Sequence, residues 1–218
     1  MPRIALIHAL AHSVAPVNEA FERDWPEARR MNLLDDSLSA DLAGRGHGLD
    51  AAMHQRFAQL ADYALGTGAE AILFTCSAFG PCIEAVARRH AGVPVLKPNE
   101  AMVARAVATR QRVGLVASFA PTLLTMPPEF PADAQPDCEL AVGAMEALDR
   151  GDAQAHDRAA ADAAERLLRR GCTVIALAQF SLARAAPAVH RATGLPVLTT
   201  IDTALAELRR RLQDPAQR

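Results

Sequence analysis

The sequence is almost without lysine and carries no large excess of charge of either sign. Lys97 is the only lysine among 218 residues, and the formal net charge is −2. This balance gives no electrostatic reason to expect a nucleic acid or an anionic membrane surface as a partner. No apolar run approaches the length of a membrane span, which again predicts no membrane partner.

Cysteine is also scarce, and its spacing fits no metal site. The four cysteines are Cys76, Cys82, Cys138 and Cys172. His8 and His12 would suggest a metal pair only on one helix, and His8 ends a predicted strand. We therefore expect no metal ion and reduced thiols. The first residues enter a predicted strand without a leader pattern, so the expected compartment is the cytoplasm.

Short apolar runs alternate with segments of helical periodicity, which predicts strands alternating with helices. Strands are predicted at residues 3–8, 30–34, 71–74, 92–96, 113–117 and 139–142, within 171–181, and at 194–198. Helices are predicted at residues 17–23, around 53–64, from Pro81, from an Asn99 cap, at 153–169, and at 204–212 with Thr200 as cap. Residues 35–48 are polar and contain glycine, so a flexible loop is predicted there, and the proline-rich stretch after Ser118 is predicted to be irregular.

The second half of the chain repeats the layout of the first. Two pairs of segments match: Gly68–Ala78 with Gly171–Ser181, and Gly92–Pro98 with Gly194–Thr200. Counted from the glycines, Cys76 falls opposite Gln179, to within about one position. The pattern predicts an α/β fold of two halves, 1–108 carrying Cys76 and 109–218 carrying Gln179, with a C-terminal helix that can cross over.

Each half is expected to hold a parallel sheet with helices on both faces. Ligands bind outside the carboxyl ends of such strands, so we expect an active-site cleft between the halves. Nine residues at or after these strand ends are the predicted substrate-binding residues: His8, Ser77, Ala78, Ser118, Phe119, Thr122, Gln179, Phe180 and Ser181.

Cys76 is the candidate catalytic residue, because it follows the apolar strand 71–74 and precedes a helix opened by Pro81. Unpaired N–H groups and the positive end of the dipole at a helix N-terminus stabilise a thiolate. On this local pattern the Cys76 pKa is expected to fall to about 7 or below.

Four segments resemble the aspartate/glutamate racemase superfamily, a cofactor-independent group that includes hydantoin racemases, maleate isomerases and arylmalonate decarboxylase. The matching segments are Leu34–Leu38, Phe74–Gly80, Leu96–Met102 and Leu177–Arg184. The resemblance covers nearly the whole chain. It implies two flavodoxin-like halves, no cofactor and a homo-oligomer, either a dimer or a tetramer.

The family's racemases use two cysteines, one from each half, to remove and return a proton at a carbon acid. Cys76 matches the first cysteine, whereas the second position holds Gln179, which does not exchange protons at neutral pH. The resemblance therefore implies an isomerase or racemase-type enzyme that uses one thiol at the α-carbon of a small carboxylic acid, either amino-acid-like or hydantoin-like. A single-cysteine decarboxylase, a maleate-type cis–trans isomerase and a non-catalytic binder of small acids remain alternatives.

Overall fold

The computed structural model describes residues 1–44 and 48–213, which form two compact units. The first unit comprises Met1–Pro98 and the chain from Ala204, and the second comprises Asn99–Thr203. No helix within the described residues is both long and apolar enough to cross a membrane.

Each unit contains one four-stranded, all-parallel sheet. In the first unit the order is β2-β1-β3-β4, formed by Arg29–Leu34, Arg3–His8, Ala71–Phe74 and Val95–Leu96. In the second unit the order is β6-β5-β7-β8, formed by Asp137–Leu140, Val113–Ala117, Val174–Leu177 and Val197–Thr199. The matching strand orders confirm the predicted duplication and the parallel α/β class.

Ten helices connect these strands within the described residues. They are α1 Val14–Asp24, α2 Ser37–Gly44, α3 Ala51–Gly66, α4 Gly80–Arg89, α5 Glu100–Ala108, α6 Thr122–Thr125, α7 Ala144–Asp149, α8 Ala153–Arg169, α9 Ala186–Thr193 and α10 Thr200–Gln213.

Several local predictions were wrong. Helix α2 occupies much of the stretch predicted as a loop, of which residues 45–47 lie outside the described residues, and α7 was not predicted at all. Both helices are short, with eight and six residues, so helical periodicity hardly shows. Strand β6 begins at Asp137 and not at Glu139. The Asn99 side chain makes no cap bond to α5 and instead donates to Glu129 Oε1 at 2.7 Å.

The boundary between the units also differs from the predicted 108/109 boundary, because α5 packs against the second sheet. Met102, Val103 and Ala106 of α5 share one apolar cluster with residues of β5 and β7. Helix α10 in turn belongs almost wholly to the first unit.

The two central strands of the second sheet, β5 and β7, are buried on both faces, which is typical of parallel strands covered by helices. Successive residues of β5 alternate between the two faces: Val113 and Leu115 join the α5 cluster, whereas Val116 joins a cluster with α8. Gly114, between them, lets α8 approach closely. A Cβ placed there would lie 2.9 Å from Leu167 Cδ1 and 3.0 Å from Leu167 Cβ.

Replacing Gly114 with alanine is therefore expected to lower the free energy of unfolding by about 1–3 kcal/mol, because α8 or β5 must shift to admit the methyl group. Urea unfolding followed by far-UV circular dichroism measures the change. Gly92→Ala is the matched control, because a Cβ at Gly92 meets nothing within 4 Å. Equal losses in the two variants would contradict the packing argument.

Candidate active site

Cys76 lies at the carboxyl end of β3, where the polypeptide leaves the sheet. The preceding Thr75 N–H still donates to Ile7 of β1 at 3.0 Å. After Cys76 the chain makes a single 3-10 turn, Ser77–Phe79, before α4 begins at Gly80. This turn separates the thiol from α4 and places it at the edge of the sheet, beside His8 at the end of β1.

The thiol faces a narrow apolar slot that leaves no room for a water molecule. The slot is lined by Ile7, His8, Ala9, Leu38, Phe57, Phe74 and Cys76. Phe57 lies between Phe74 and Phe79, with ring centroids 5.3 and 4.9 Å away, so this wall is aromatic. The sulfur therefore rests against hydrocarbon on this side.

Burial raises the pKa of Cys76 to about 11, which is opposite to the direction predicted from the sequence. The Ala78 N–H and the Ser39 hydroxyl approach the sulfur, and each lowers the pKa, but removal of water outweighs both. At neutral pH the group is therefore a thiol and not a thiolate.

His8 is fully buried, and both of its ring nitrogens are engaged. Nε2 lies 3.0 Å from Asn32 Oδ1, and Nδ1 lies 3.0 Å from Thr75 Oγ1. Asn32 Oδ1 also accepts from Asn18, so Nε2 carries the hydrogen and Nδ1 accepts from the Thr75 hydroxyl. Burial lowers the pKa of His8, and the bond to Asn32 opposes this to a lesser extent. The ring is thus a neutral brace between β1, β2 and the residue before Cys76.

In the second unit, Gln179 joins two other predicted site residues in one hydrogen-bonded cluster. Gln179 Oε1 accepts from the Ser118 N–H at 2.9 Å, and Nε2 donates to Thr122 Oγ1 at 2.8 Å. The Ser118 N–H requires an acceptor, which fixes the orientation of the amide. The carboxamide ties the end of β5 to α6. Its second N–H has no partner among the residues that the structure describes.

The other predicted binding residues lie at the same strand ends but are mostly buried. Ala78 and Ser77 are 6% and 7% exposed, whereas Ser181 and Phe180 are 3% and 1% exposed. Phe119 is half-buried. Phe180 is thus an interior side chain of the second unit. Binding roles for these residues stay predictions.

Three residues that contact the site of the first unit were not predicted as site residues: Ser39, Leu38 and Asn32. Ser39 and Leu38 belong to the unpredicted α2, and Asn32 lies on β2 beside β1. The Leu34–Leu38 segment within the resemblance was the available signal. Within residues 1–44 and 48–213, no three His, Cys, Asp or Glu side chains form a group able to hold a metal ion.

Two parallel sheets of the same strand order, one with a thiol at a strand end, define a duplicated α/β protein with a cysteine-centred candidate site. The chain belongs to the Asp/Glu/hydantoin racemase family, whose model matches residues 14–208. No curated protein sequence matches this one significantly.

Solved structures share the fold over nearly the whole chain. Aspartate racemase from Picrophilus torridus has a TM-score of 0.74 at 10% identity, covering 96% of this chain and 94% of its own. Allantoin racemase from Klebsiella pneumoniae has a TM-score of 0.71 at 14% identity, covering 97% and 88%. Arylmalonate decarboxylase has a TM-score of 0.66 at 18% identity, covering 96% and 92%. Identities this low establish the fold alone.

Because the pKa of His8 is lowered in the folded state, His8 should make stability depend on pH. An unfolded histidine with a pKa near 6.5 takes up a proton before the buried ring does, so stability is full above about pH 6.5 and falls as the pH drops. One such group contributes at most about 1.4 kcal/mol per pH unit. We expect His8→Gln to flatten the fall in unfolding free energy between pH 7.5 and 5.5. His190→Gln, at an exposed position, is the control, and equal slopes for wild type and His8→Gln would contradict the expectation.

Replacing Gln179 with methionine keeps the shape of the side chain but removes the acceptor of the Ser118 N–H. Leaving that largely buried donor unsatisfied should cost about 1–3 kcal/mol of unfolding free energy. Amide hydrogen exchange at Ser118 should also accelerate. Gln111→Met, at an exposed position, controls for the amide-to-thioether change. An unchanged Ser118 exchange rate would show that the cluster does not hold the loop.

Proposed function

We propose that this protein is a cofactor-independent enzyme that acts at the α-carbon of a small carboxylic acid, with Cys76 as its only proton-transfer group. The observation that carries the proposal is the position of Cys76 at a strand end, beside the N–H of Ala78. Membership of the chain in the racemase family supports it. Neither Gln179 nor neutral His8, whose nitrogens are both bonded, offers a second exchangeable proton of suitable pKa.

The protonated state of Cys76 favours a role as proton donor over a role as base. With its pKa raised to about 11 by desolvation, Cys76 is mostly protonated at pH 7. Racemisation begins with removal of the α-proton and therefore needs the rare thiolate. Protonation of a carbanion that has already formed needs the abundant thiol.

Decarboxylation is the reaction that meets this condition most simply. The bond between the α-carbon and one carboxylate breaks, carbon dioxide leaves, and the electron pair stays on the α-carbon. Cys76 then donates its proton to that carbon, and water reprotonates the thiolate. Since the proposal assigns no cofactor, the substrate must delocalise the electron pair itself, as a second carboxyl group on the same carbon does. The proposed substrate class is thus an α-substituted malonic acid, in line with the similarity to arylmalonate decarboxylase.

A racemase-type isomerase is the second candidate, supported by the family and by the similarity to aspartate and allantoin racemases. Its substrate would be an amino acid or a hydantoin, and its first step would need Cys76 as thiolate. In either reaction, charge that develops on a carboxylate needs hydrogen-bond donors. In the first unit, the N–H of Ala78, which approaches Cys76, is the proposed donor. A homo-oligomer in the cytoplasm remains the expected state of the protein.

The two reactions predict different dependences on pH. For a decarboxylase, kcat/KM should lack a thiol-dependent rise between pH 6 and 9 and should fall only as the pH approaches 11, where the donor is lost. For a racemase, it should rise about tenfold per pH unit over the same range, because the thiolate fraction does. The measurements are carbon dioxide release from disubstituted malonic acids, and α-proton exchange of amino acids and hydantoins in D₂O.

Cys76→Ala should lower kcat/KM by about 10²–10⁴-fold, the usual contribution of a positioned acid or base. Cys138→Ala is the matched control, because that half-buried thiol lies on β6 and has no proposed role. One thiol should also deliver its proton to one face of the carbanion, so the product should be a single enantiomer carrying deuterium from D₂O. Equal turnover in wild type and Cys76→Ala would remove Cys76 from catalysis. Binding of acids with no turnover of any would instead identify a non-catalytic binder.

A further inference from the structure

The short helix α2 contributes two residues, Leu38 and Ser39, to the surroundings of the Cys76 thiol. Leu38 of α2 is 1% exposed and lines the same slot as Cys76. The next residue, Ser39, directs its hydroxyl to the sulfur. The surroundings of the thiol therefore depend on where α2 lies.

Arg56 of α3 binds α2 both at its start and in its middle. Its Nη2 donates to Asp35 Oδ2 at 2.8 Å and to Ser37 Oγ at 2.6 Å, just before and at the start of α2. Its Nη1 donates to Asp41 Oδ2 at 2.6 Å, in the middle of the helix. One guanidinium thus spans the residues on both sides of Leu38 and Ser39.

The ion pairs of Arg56 are partly shielded from solvent, so they help to hold α2 in place. The Arg56, Asp35 and Asp41 side chains are only 28%, 26% and 25% exposed, so solvent screens them less than a surface pair. The pKa of Asp35 is lowered by its bonds to Ser37 and Arg56, although burial opposes this. An isolated helix of eight residues has little stability of its own. The forked guanidinium is suited to hold two carboxylates at once, which the single ammonium of lysine is not.

Phe57, the residue after Arg56, forms the opposite wall of the slot. A single turn of α3 therefore supplies both the aromatic wall beside the thiol and the clamp on the helix that covers it. Among the residues that line the slot, His8 is the only titratable group besides Cys76, and it is neutral at neutral pH.

We propose that Arg56 is a positioning residue that clamps α2 over Cys76, so that Leu38 excludes water from the thiol and Ser39 contacts it. The functional importance of the contact between Arg56 and α2 rests on the proposed role of Cys76. Its test uses thiol reactivity and no substrate, so the clamp and the proposed function can fail separately.

The test is the pH dependence of Cys76 alkylation by iodoacetamide, followed by site-resolved mass spectrometry that separates Cys76 from Cys82. In Arg56→Met, α2 should loosen and water should reach the sulfur. The midpoint should move from about 11 toward that of an ordinary thiol, and alkylation at pH 8 should accelerate at least tenfold. In Ser39→Ala the cover stays but a group that favours the thiolate is lost, so alkylation should slow several-fold. Alkylation should therefore speed up in Arg56→Met and slow down in Ser39→Ala. This difference distinguishes the exclusion of water by α2 from the contact of Ser39 with the sulfur.

The Cys76 alkylation rate of Arg56→Lys should lie between those of wild type and Arg56→Met. The single lysine ammonium can replace only one of the two guanidinium nitrogens that bind α2. Arg89→Met is the matched control: it breaks an arginine–aspartate pair from α4 to Asp62 of α3 and should leave the profile within twofold of wild type. Circular dichroism checks that each variant is folded.

If Arg56→Met does not fold, Asp41→Asn removes one arm alone and should shift the profile in the same direction by a smaller amount. A folded Arg56→Met with the wild-type alkylation profile overturns the proposal. So does a wild-type profile in Asp41→Asn where Arg56→Met is unfolded.

Discussion

Burial of the parallel strands on both faces confines the polar chemistry of this protein to the strand ends. Within β1, β3, β5 and β7, side chains between the sheet ends have no access to water. On these central strands, polar groups appear where the backbone leaves the sheet. His8, Cys76, Ser118 and Gln179 all occupy such positions. His8 contacts Asn32 on the neighbouring strand β2, whereas Cys76 and Gln179 have partners in a turn or a short helix, which the sheet itself does not specify.

At Cys76 two opposing effects act on the same sulfur, and their balance decides its chemistry. Nearby N–H and O–H groups favour the thiolate, whereas apolar walls favour the thiol. The donors belong to the local turn and to α2, and they are few. The walls come from β1, β3, α2 and α3 together. Desolvation is therefore the larger effect, and it raises the pKa of Cys76.

The same balance explains which predictions from sequence succeeded. Strand β5 and helix α8 were predicted correctly, because a buried parallel strand is a short apolar run and a long amphipathic helix repeats its pattern many times. The pKa of Cys76 was predicted in the wrong direction. The helix start at Gly80 is visible in the next few residues, but Leu38 and Phe57, which exclude water, are some 20 to 40 residues distant in sequence. The sequence around Cys76 thus predicts the N–H groups that stabilise a thiolate. It does not predict the apolar side chains that exclude water from the thiol, because they are distant in sequence.

The two units also show how a duplicated strand end can diverge without loss of the fold. In the first, Thr75 is held by His8, and the following residue carries a thiol that the Ala78 N–H and the Ser39 hydroxyl approach. In the second, the corresponding side chain, Gln179, is itself the brace, because its amide joins Ser118 to Thr122. A thiol at that position could not make both bonds at once, since it is a single weak donor and acceptor. At this strand end, glutamine therefore anchors a loop, a role that a cysteine side chain could not fill.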